Sequence, residues 1–299
     1  MPSPERRPSI LVPVPDGRVL AADDLGPAGG RPVVLVHGTP DSRLARHPDD
    51  SLLADLGVRL IALDRPGFGW STPHDTATVA SFGRDVSALA DRLGLERFSL
   101  LAWSAGAVWA LGAAAVNADR VGRLTVVGGL VPLPAYDDPT VAAAAGDARL
   151  AMVETAEELG ATVAAELIAP MLVPDPPTLD IALEHLAATH DPTTTAELAS
   201  VPGAEQQLAW AMLDAVRQGV DGLVRDVAVQ LSPLDVALTD VTCPVRFVHG
   251  ELDTACPPAF GRWFVDRLGG RGQLDVVAGA GHAVLLTRWQ EILAAAADV

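Results

Sequence analysis

Short, continuous apolar runs recur along this chain and alternate with longer segments of helical periodicity. One such run occupies residues 32–37 between glycines, and similar runs return at Val58–Leu63 and Phe98–Trp103. A run that is apolar at almost every position suits a strand buried on both faces, as strands in parallel sheets are. Because strands that alternate with helices connect by right-handed crossovers, the pattern predicts an α/β fold with a mostly parallel central sheet flanked by helices.

The remaining segments follow the same rhythm. The turn signal Pro15-Asp16-Gly17 predicts an antiparallel hairpin between residues 10–14 and 18–22. Gly94 should end a helix, because glycine tolerates the left-handed backbone found after the last helical turn. The other expected elements are strands at 124–127, 245–249 and 274–277 and helices at 44–56, 78–93, 105–116, 260–268 and 285–297.

Residues 132–234 break this rhythm, because they contain no convincing strand. Ala, Leu and Glu recur there at helical spacing, and prolines punctuate the segment, so its helices should be short. We therefore expect an α/β core formed by residues 1–131 and 235–299, with residues 132–234 inserted as an all-helical lid.

Charge and composition exclude several classes of function. Twenty-one basic residues against 38 acidic ones give a net charge of −17, which disfavours nucleic acid and anionic membranes as partners. Every basic residue is Arg, so chemistry that needs a lysine amine is excluded, including Schiff bases and the P-loop. Cys243 and Cys256 form neither a disulfide framework nor a metal-binding pair, and we expect buried thiols.

The sequence also contains no membrane or export signal that we recognise. Its longest apolar stretch, residues 101–116, is shorter than the ~20 residues that a membrane span requires. No apolar segment follows Arg6-Arg7, as an export signal would require. We therefore expect a cytoplasmic protein, with its oligomeric state open.

A candidate nucleophile lies where a strand should pass into a helix. The segment Ala102-Trp103-Ser104-Ala105-Gly106 has the spacing of a nucleophile elbow, in which small residues flank a sharp turn. Such a turn exposes the serine hydroxyl at a helix N-terminus, where developing negative charge is favoured. A serine that merely caps the helix is the alternative.

A serine nucleophile needs a base, and the base needs an orienting acid. His282 follows the last predicted strand, within Gly279-Ala280-Gly281-His282, and is the favoured base. Asp253 follows the strand at 245–249 and is the favoured acid, with Glu251 as the local competitor. A helix-capping role for Asp253 before Pro257 stays open.

The order nucleophile, acid, base on separate strand ends resembles the α/β-hydrolase fold superfamily, in its serine-triad branch with an inserted helical lid. Ala102 departs from the family pattern, which usually has Gly at that position of the elbow. The motifs that carry the resemblance are the elbow, His37-Gly38-Thr39-Pro40, Asp64-Arg-Pro-Gly-Phe-Gly-Trp-Ser71, Gly250-Glu-Leu-Asp253 and Gly279-Ala-Gly-His282.

The resemblance implies roles for several residues. The family's oxyanion hole uses two backbone amides, which here are those of Ala105 and Thr39, because Pro40 has no N–H. Trp103, His37 and Trp210 are candidate substrate-pocket contacts, although a tryptophan beside the nucleophile is more often a core residue and His37 could simply satisfy backbone groups at the end of its strand.

The implied activity is hydrolysis of a carboxylic ester, lactone or related acyl substrate, without a cofactor or metal, by Ser104, His282 and Asp253. The Leu and Met residues of the lid, with Trp210, suggest an apolar pocket for a small or medium acyl substrate. Ser104 argues against relatives that open epoxides or displace halide, because these use an Asp nucleophile. Carbon–carbon bond hydrolysis, aminopeptidase activity, perhydrolysis and ligand binding with little turnover stay open.

Overall fold

The computed structural model describes residues 6–175 and 177–298, and its strands form one eight-stranded sheet in the order β1-β2-β4-β3-β5-β6-β7-β8. β1 and β2 form an antiparallel hairpin, β2 pairs antiparallel with β4, and all other pairs are parallel. The strands are β1 (Ile10–Pro13), β2 (Val19–Leu25), β3 (Arg31–Val36), β4 (Val58–Leu63), β5 (Phe98–Trp103), β6 (Val121–Val127), β7 (Val245–Gly250) and β8 (Gly272–Val277). The predicted fold class is confirmed.

The helices lie on the two faces of this sheet and in a long segment between β6 and β7. They are α1 (Leu52–Leu56), α2 (Val79–Leu93), α3 (Gly106–Val116), α4 (Pro139–Ala145), α5 (Asp147–Leu159), α6 (Ala161–Ile168), α7 (Leu179–Thr189), α8 (Pro192–Ser200), α9 (Ala204–Ala215), α10 (Asp221–Gln230), α11 (Pro258–Arg267), α12 (Val284–Thr287) and α13 (Trp289–Ala296). None of the described helices is long and apolar enough to cross a membrane.

The central strands divide the core in two, because successive side chains point to opposite faces of the sheet. In β5, Leu100 and Ala102 pack into the cluster that contains α2 and α3. Leu101 and Trp103 pack into the opposite cluster, which contains α9, α12 and α13. All six residues of β5 are buried, and five of them are apolar, with Ser99 the exception.

α2 begins and ends through local signals. The Thr78 hydroxyl accepts a hydrogen bond from the Ser81 amide, and the Ser81 hydroxyl accepts one from the Thr78 amide, forming a capping box. Gly94 follows the helix with φ 65°, the left-handed conformation predicted for it.

The predicted helix at residues 44–56 is wrong over most of its length, because only α1 is helical. Pro48 would interrupt a longer helix. The preceding segment instead turns Arg43 into the core, where its guanidinium lies 3.0 Å from the Asp64 carboxylate and 2.5 Å from that of Asp214. These partners are distant in the sequence, so no local pattern reveals them.

The single helix predicted at residues 285–297 is also wrong. Arg288 leaves the helical conformation, with φ −115°, and separates α12 from α13. Three consecutive residues of α12, Val284, Leu285 and Leu286, are buried. They cover a wider arc than the single apolar face of a surface helix.

Between β6 and β7, the described residues form α4 to α10 and short 3-10 turns, and none of them belongs to a strand of the sheet. Part of this region packs on Phe68, a fully buried residue of the loop after β4, together with Ala164, Ile168 and Leu223. The helical region therefore rests directly on a loop of the α/β core.

Candidate active site

Ser104 occupies a strained turn between β5 and α3. It is the only described non-glycine residue with a positive φ, 55°, a conformation that costs an L-residue roughly 1–2 kcal/mol. Gly106 permits the turn, because a Cβ there would lie 2.4 Å from the Val36 carbonyl oxygen. Ala105 is the N-cap of α3 and no side chain caps the helix, so the alternative of Ser104 as a capping residue is wrong.

His282 and Asp253 form a hydrogen-bonded pair. The distance between His282 Nδ1 and Asp253 Oδ2 is 2.8 Å. The other oxygen, Oδ1, accepts bonds from the amides of Ala255 (2.9 Å) and Cys256 (2.8 Å), so the carboxylate is held at both ends. The competing acid, Glu251, is exposed and accepts a bond from the Gly279 amide instead.

Gly128, at the end of β6, leaves room for this pair. A Cβ at Gly128 would lie 3.0 Å from Asp253 Oδ2 and 3.0 Å from His282 Nδ1, and its φ of 52° also favours glycine. The sheet therefore brings the ends of β6, β7 and β8 together where the acid and the imidazole meet.

The helical region holds the loop that carries His282. The Glu197 carboxylate of α8 accepts hydrogen bonds from the backbone amides of the two residues that flank His282, Gly281 (2.9 Å) and Ala283 (3.0 Å). The His282 amide itself donates to the Thr194 hydroxyl at 3.0 Å. Trp103 stacks on the imidazole, with ring centroids 5.9 Å apart, and its indole N–H donates to the His282 carbonyl.

Ser104 lies beside this pair without a direct bond to it. Among the described residues, its hydroxyl forms no hydrogen bond with His282. The Ser104 side chain instead bonds the buried thiol of Cys256. Burial raises the pKa of this thiol to about 12. Cys256 is thus an unreactive thiol at neutral pH, as predicted for a buried cysteine.

A second carboxyl group, that of Asp41, also faces the site. A Cβ at Gly38 would lie 3.1 Å from Ser104 Cβ and 3.3 Å from Asp41 Oδ2, so both atoms border the same point. Burial raises the pKa of Asp41 to about 7, although Arg65 and His282 act in the opposite direction. Asp41 forms no hydrogen bond through its side chain with the described residues.

The pKa of His282 reflects its two acidic neighbours. Burial alone would lower this pKa, but the Asp253 carboxylate, through its charge and hydrogen bond, and the charge of Asp41 raise it. The net result is a pKa above the ordinary value of 6.5.

The amides of Thr39 and Ala105 are unpartnered. Neither donates to an acceptor in the described part of the chain, and both residues line a cavity with Ser104. The Thr39 hydroxyl is firmly held, since it donates to Asp226 (2.5 Å) and accepts from Arg65 (2.9 Å) and Gln230 (2.8 Å). This network joins the loop after β3 to α10.

The cavity beside Ser104 has a volume of about 280 Å³ and is mostly apolar. A larger cavity of about 570 Å³ lies between the 75–79 segment, α6 and α10, and none of the predicted site residues lines it. The residues around the smaller cavity are Thr39, Ser104, Ala105, Leu130, Val131, Tyr136, Ala145, Ala148, Arg149, Met152, Ile168, Leu172, Val227, Gln230, Leu231, Thr254 and Ala255.

The three residues predicted to contact substrate lie outside this lining. His37 is fully buried, where its Nδ1 bonds the Gly38 carbonyl at 2.8 Å and its Nε2 accepts from the Arg65 amide at 3.0 Å. Trp103 packs under His282, and Trp210 packs against the apolar cluster around α9.

Sequence reasoning missed Asp41, Glu197 and Arg149. Asp41 carried a usable signal, because it directly follows the predicted oxyanion loop. Glu197 and Arg149 lie in the helical region and had none. Among the described residues, no group of three or more His, Cys, Asp or Glu side chains could hold a metal ion.

A family model described as alpha/beta hydrolase fold matches residues 31–288. A haloalkane dehalogenase from Mycolicibacterium paratuberculosis is 35% identical over 112 residues, which are 36% of this chain and 37% of that protein. A 2-hydroxy-6-oxononadienedioate/2-hydroxy-6-oxononatrienedioate hydrolase 2 from Pseudomonas putida is 32% identical over 145 residues, 40% of this chain and 49% of that protein. The chain thus spans less than half the length of these curated relatives.

Solved structures match over almost the whole chain. An esterase from Exiguobacterium antarcticum has a TM-score of 0.65 at 19% identity, covering 97% of this chain and 99% of that one. An esterase from Rhodococcus sp. has a TM-score of 0.63 at 21% identity, covering 95% and 96%. At these identities the likeness concerns the fold. Because the family model covers most of its length, the chain belongs to the alpha/beta hydrolase fold family.

Proposed function

We propose that this protein hydrolyses a carboxylic ester, lactone or related acyl substrate through an acyl-enzyme on Ser104. The observation that carries the proposal is the strained serine, whose hydroxyl shares a cavity with two unpartnered backbone amides. A strained nucleophile and preorganised N–H donors together suit the transition state of acyl transfer, in which an oxygen gains negative charge.

The reaction begins with attack of Ser104 Oγ on the substrate carbonyl carbon. Rotation of the serine side chain directs the hydroxyl to His282, whose Nε2 accepts the proton. Asp253 holds Nδ1 and stabilises the resulting imidazolium. The carbonyl oxygen, now negatively charged, accepts hydrogen bonds from the Thr39 and Ala105 amides, each worth about 3 kcal/mol in the transition state.

The tetrahedral intermediate then collapses. The bond to the alcohol oxygen breaks, and His282 Nε2 returns its proton to that oxygen, so a neutral alcohol leaves and the acyl group stays on Ser104. Water next attacks the acyl carbon while His282 accepts one of its protons. That proton passes to Ser104 Oγ as the acid is released, which restores the enzyme.

A serine at the elbow favours ester hydrolysis over dehalogenation, the reaction of the dehalogenase relative. Relatives that displace halide use an Asp nucleophile, and no such carboxylate occupies the elbow. Carbon–carbon bond hydrolysis, aminopeptidase activity and perhydrolysis use the same serine chemistry and are outcomes of the test below. The segment 132–234 acts in this proposal as a lid, since its helices line one side of the cavity.

The test is hydrolysis of p-nitrophenyl esters with acyl chains of two to eight carbons, by the wild type and by Ser104→Ala. We expect turnover that falls by at least about a thousandfold in the variant. Ser51→Ala, at an exposed serine near α1, is the matched control and should retain full activity. An unchanged rate in Ser104→Ala, or failure of a fluorophosphonate probe to label Ser104, would remove the assignment. Ligand binding without turnover in the same panel would favour a binding module.

A further inference from the structure

The cavity beside Ser104 carries a single charged side chain. Of the described residues that line it, only Arg149 is charged, and no Asp or Glu is among them. The charge of the cavity lining is therefore positive, although the whole chain has 38 acidic residues against 21 basic ones. The rest of the lining is apolar or carries a hydroxyl or amide.

Arg149 has no carboxylate partner in the described part of the chain. It lies in the first turn of α5, is only partly exposed, and its Nη2 makes one long bond, 3.3 Å, to the Ala255 carbonyl. Buried arginines elsewhere are paired with acids, as Arg43 is with Asp64 and Arg65 with Asp226. The guanidinium of Arg149 therefore keeps most of its donors for something in the cavity.

The neutral phenol of Tyr136 lies beside Arg149 in the cavity lining. Arg149 is a side-chain hydrogen-bond partner of Tyr136, and burial raises the pKa of Tyr136 to about 12, so its hydroxyl keeps its proton at neutral pH. The positive charge of Arg149 also acts on His282. It lowers the pKa of His282, whereas Asp253 and Asp41 raise it. The cation thus lies close to the reacting groups.

We propose that Arg149 binds a carboxylate of the substrate, so that the preferred substrate is a small ester whose acyl part carries a second, free carboxylate. The guanidinium offers a planar pair of N–H donors that matches the two oxygens of a carboxylate, and in a partly dehydrated cavity this pairing is strong. A cavity volume of about 280 Å³ suits a small substrate. This inference rests on the proposed ester hydrolysis and names its substrate class.

The test compares monoethyl glutarate with ethyl valerate, a neutral ester of equal chain length, by measuring released ethanol. We expect wild-type kcat/KM to be about tenfold to a hundredfold higher for the anionic ester, mainly through a lower KM. Arg149→Gln should lose this preference, so that the ratio of kcat/KM for the anionic ester to that for ethyl valerate falls to about one or below. Arg149→Lys should retain part of it. Arg84→Gln, at an exposed arginine of α2, is the matched control and should behave as the wild type.

A binding measurement separates this inference from the proposed function. Monoethyl glutarate is titrated by calorimetry into Ser104→Ala and into the double variant that also carries Arg149→Gln. Binding that the second substitution weakens at least tenfold supports the carboxylate site, whatever the turnover. Equal binding by both proteins, no binding by Ser104→Ala, or a wild-type preference for ethyl valerate would overturn it. Absence of turnover on both esters, with binding intact, would refute the hydrolysis and leave the carboxylate site supported.

Discussion

Glu197 connects the helical region to the loop of the proposed base, and its replacement by glutamine tests that connection. Its two carboxylate oxygens accept hydrogen bonds from the Gly281 and Ala283 amides, which bracket His282. Glutamine has nearly the same size, but only one of its two terminal atoms is an acceptor. In Glu197→Gln one amide therefore keeps its bond, and the other faces an N–H group.

The cost follows from the bond that is lost. A hydrogen bond to a charged group contributes about 1.5–3 kcal/mol, and an unpaired buried amide costs a similar amount. If about 2 kcal/mol of this is lost from the arrangement that places His282, the rate of acylation falls roughly thirtyfold. We expect the loss in kcat with little change in KM, because Glu197 does not line the cavity.

The assay is steady-state hydrolysis of the best p-nitrophenyl ester, with circular dichroism and thermal unfolding as checks on folding. Glu184→Gln, at an exposed glutamate of α7, is the matched control and should keep wild-type kcat. A folded Glu197→Gln enzyme with kcat within twofold of wild type would refute the reasoning, because the loop would then hold His282 without this carboxylate.

Two further predictions concern the neighbours of His282. Acylation needs the neutral imidazole, so kcat/KM should fall as the pH drops through the raised pKa of His282. Asp41 has a pKa of about 7 and carries only part of its charge over this range, so Asp41→Asn should move the acid limb of the profile slightly, toward lower pH. A limb that moves to higher pH would contradict the assigned charge interaction. Gly128→Ala should reduce kcat by about a hundredfold or more, because its Cβ would lie 3.0 Å from both Asp253 Oδ2 and His282 Nδ1. A fully active Gly128→Ala would show that the two side chains tolerate displacement, and the crystal structure of the variant would reveal where they moved.

Much of the core could be predicted because its signals are local. β5 is apolar at every position except Ser99, as suits a strand buried on both faces. The elbow at Ser104 needs small neighbours to avoid collisions, and Gly94 supplies a left-handed residue after α2. Each of these constraints acts within a few residues, so it can be recognised from the local sequence.

The helix predicted at 44–56 failed for the opposite reason. Pro48 interrupts the segment, and Arg43, just before it, pairs with Asp64 and Asp214, which are 21 and 171 residues away. A buried guanidinium must be paired wherever the partner lies, and that requirement overrides a weak helical pattern.

The sequence alone determined the sheet, the strained serine and the order of the residues that follow its strands, because hydrophobic period, turn chemistry and glycine conformation are properties of neighbouring residues. Only the tertiary structure decided that Arg149 faces the cavity, that Glu197 holds the loop of His282, and that His37, Trp103 and Trp210 lie outside the cavity. The sequence of an amphipathic helix indicates that one of its faces will be buried. Which surface covers that face depends on packing between segments that are far apart in the chain.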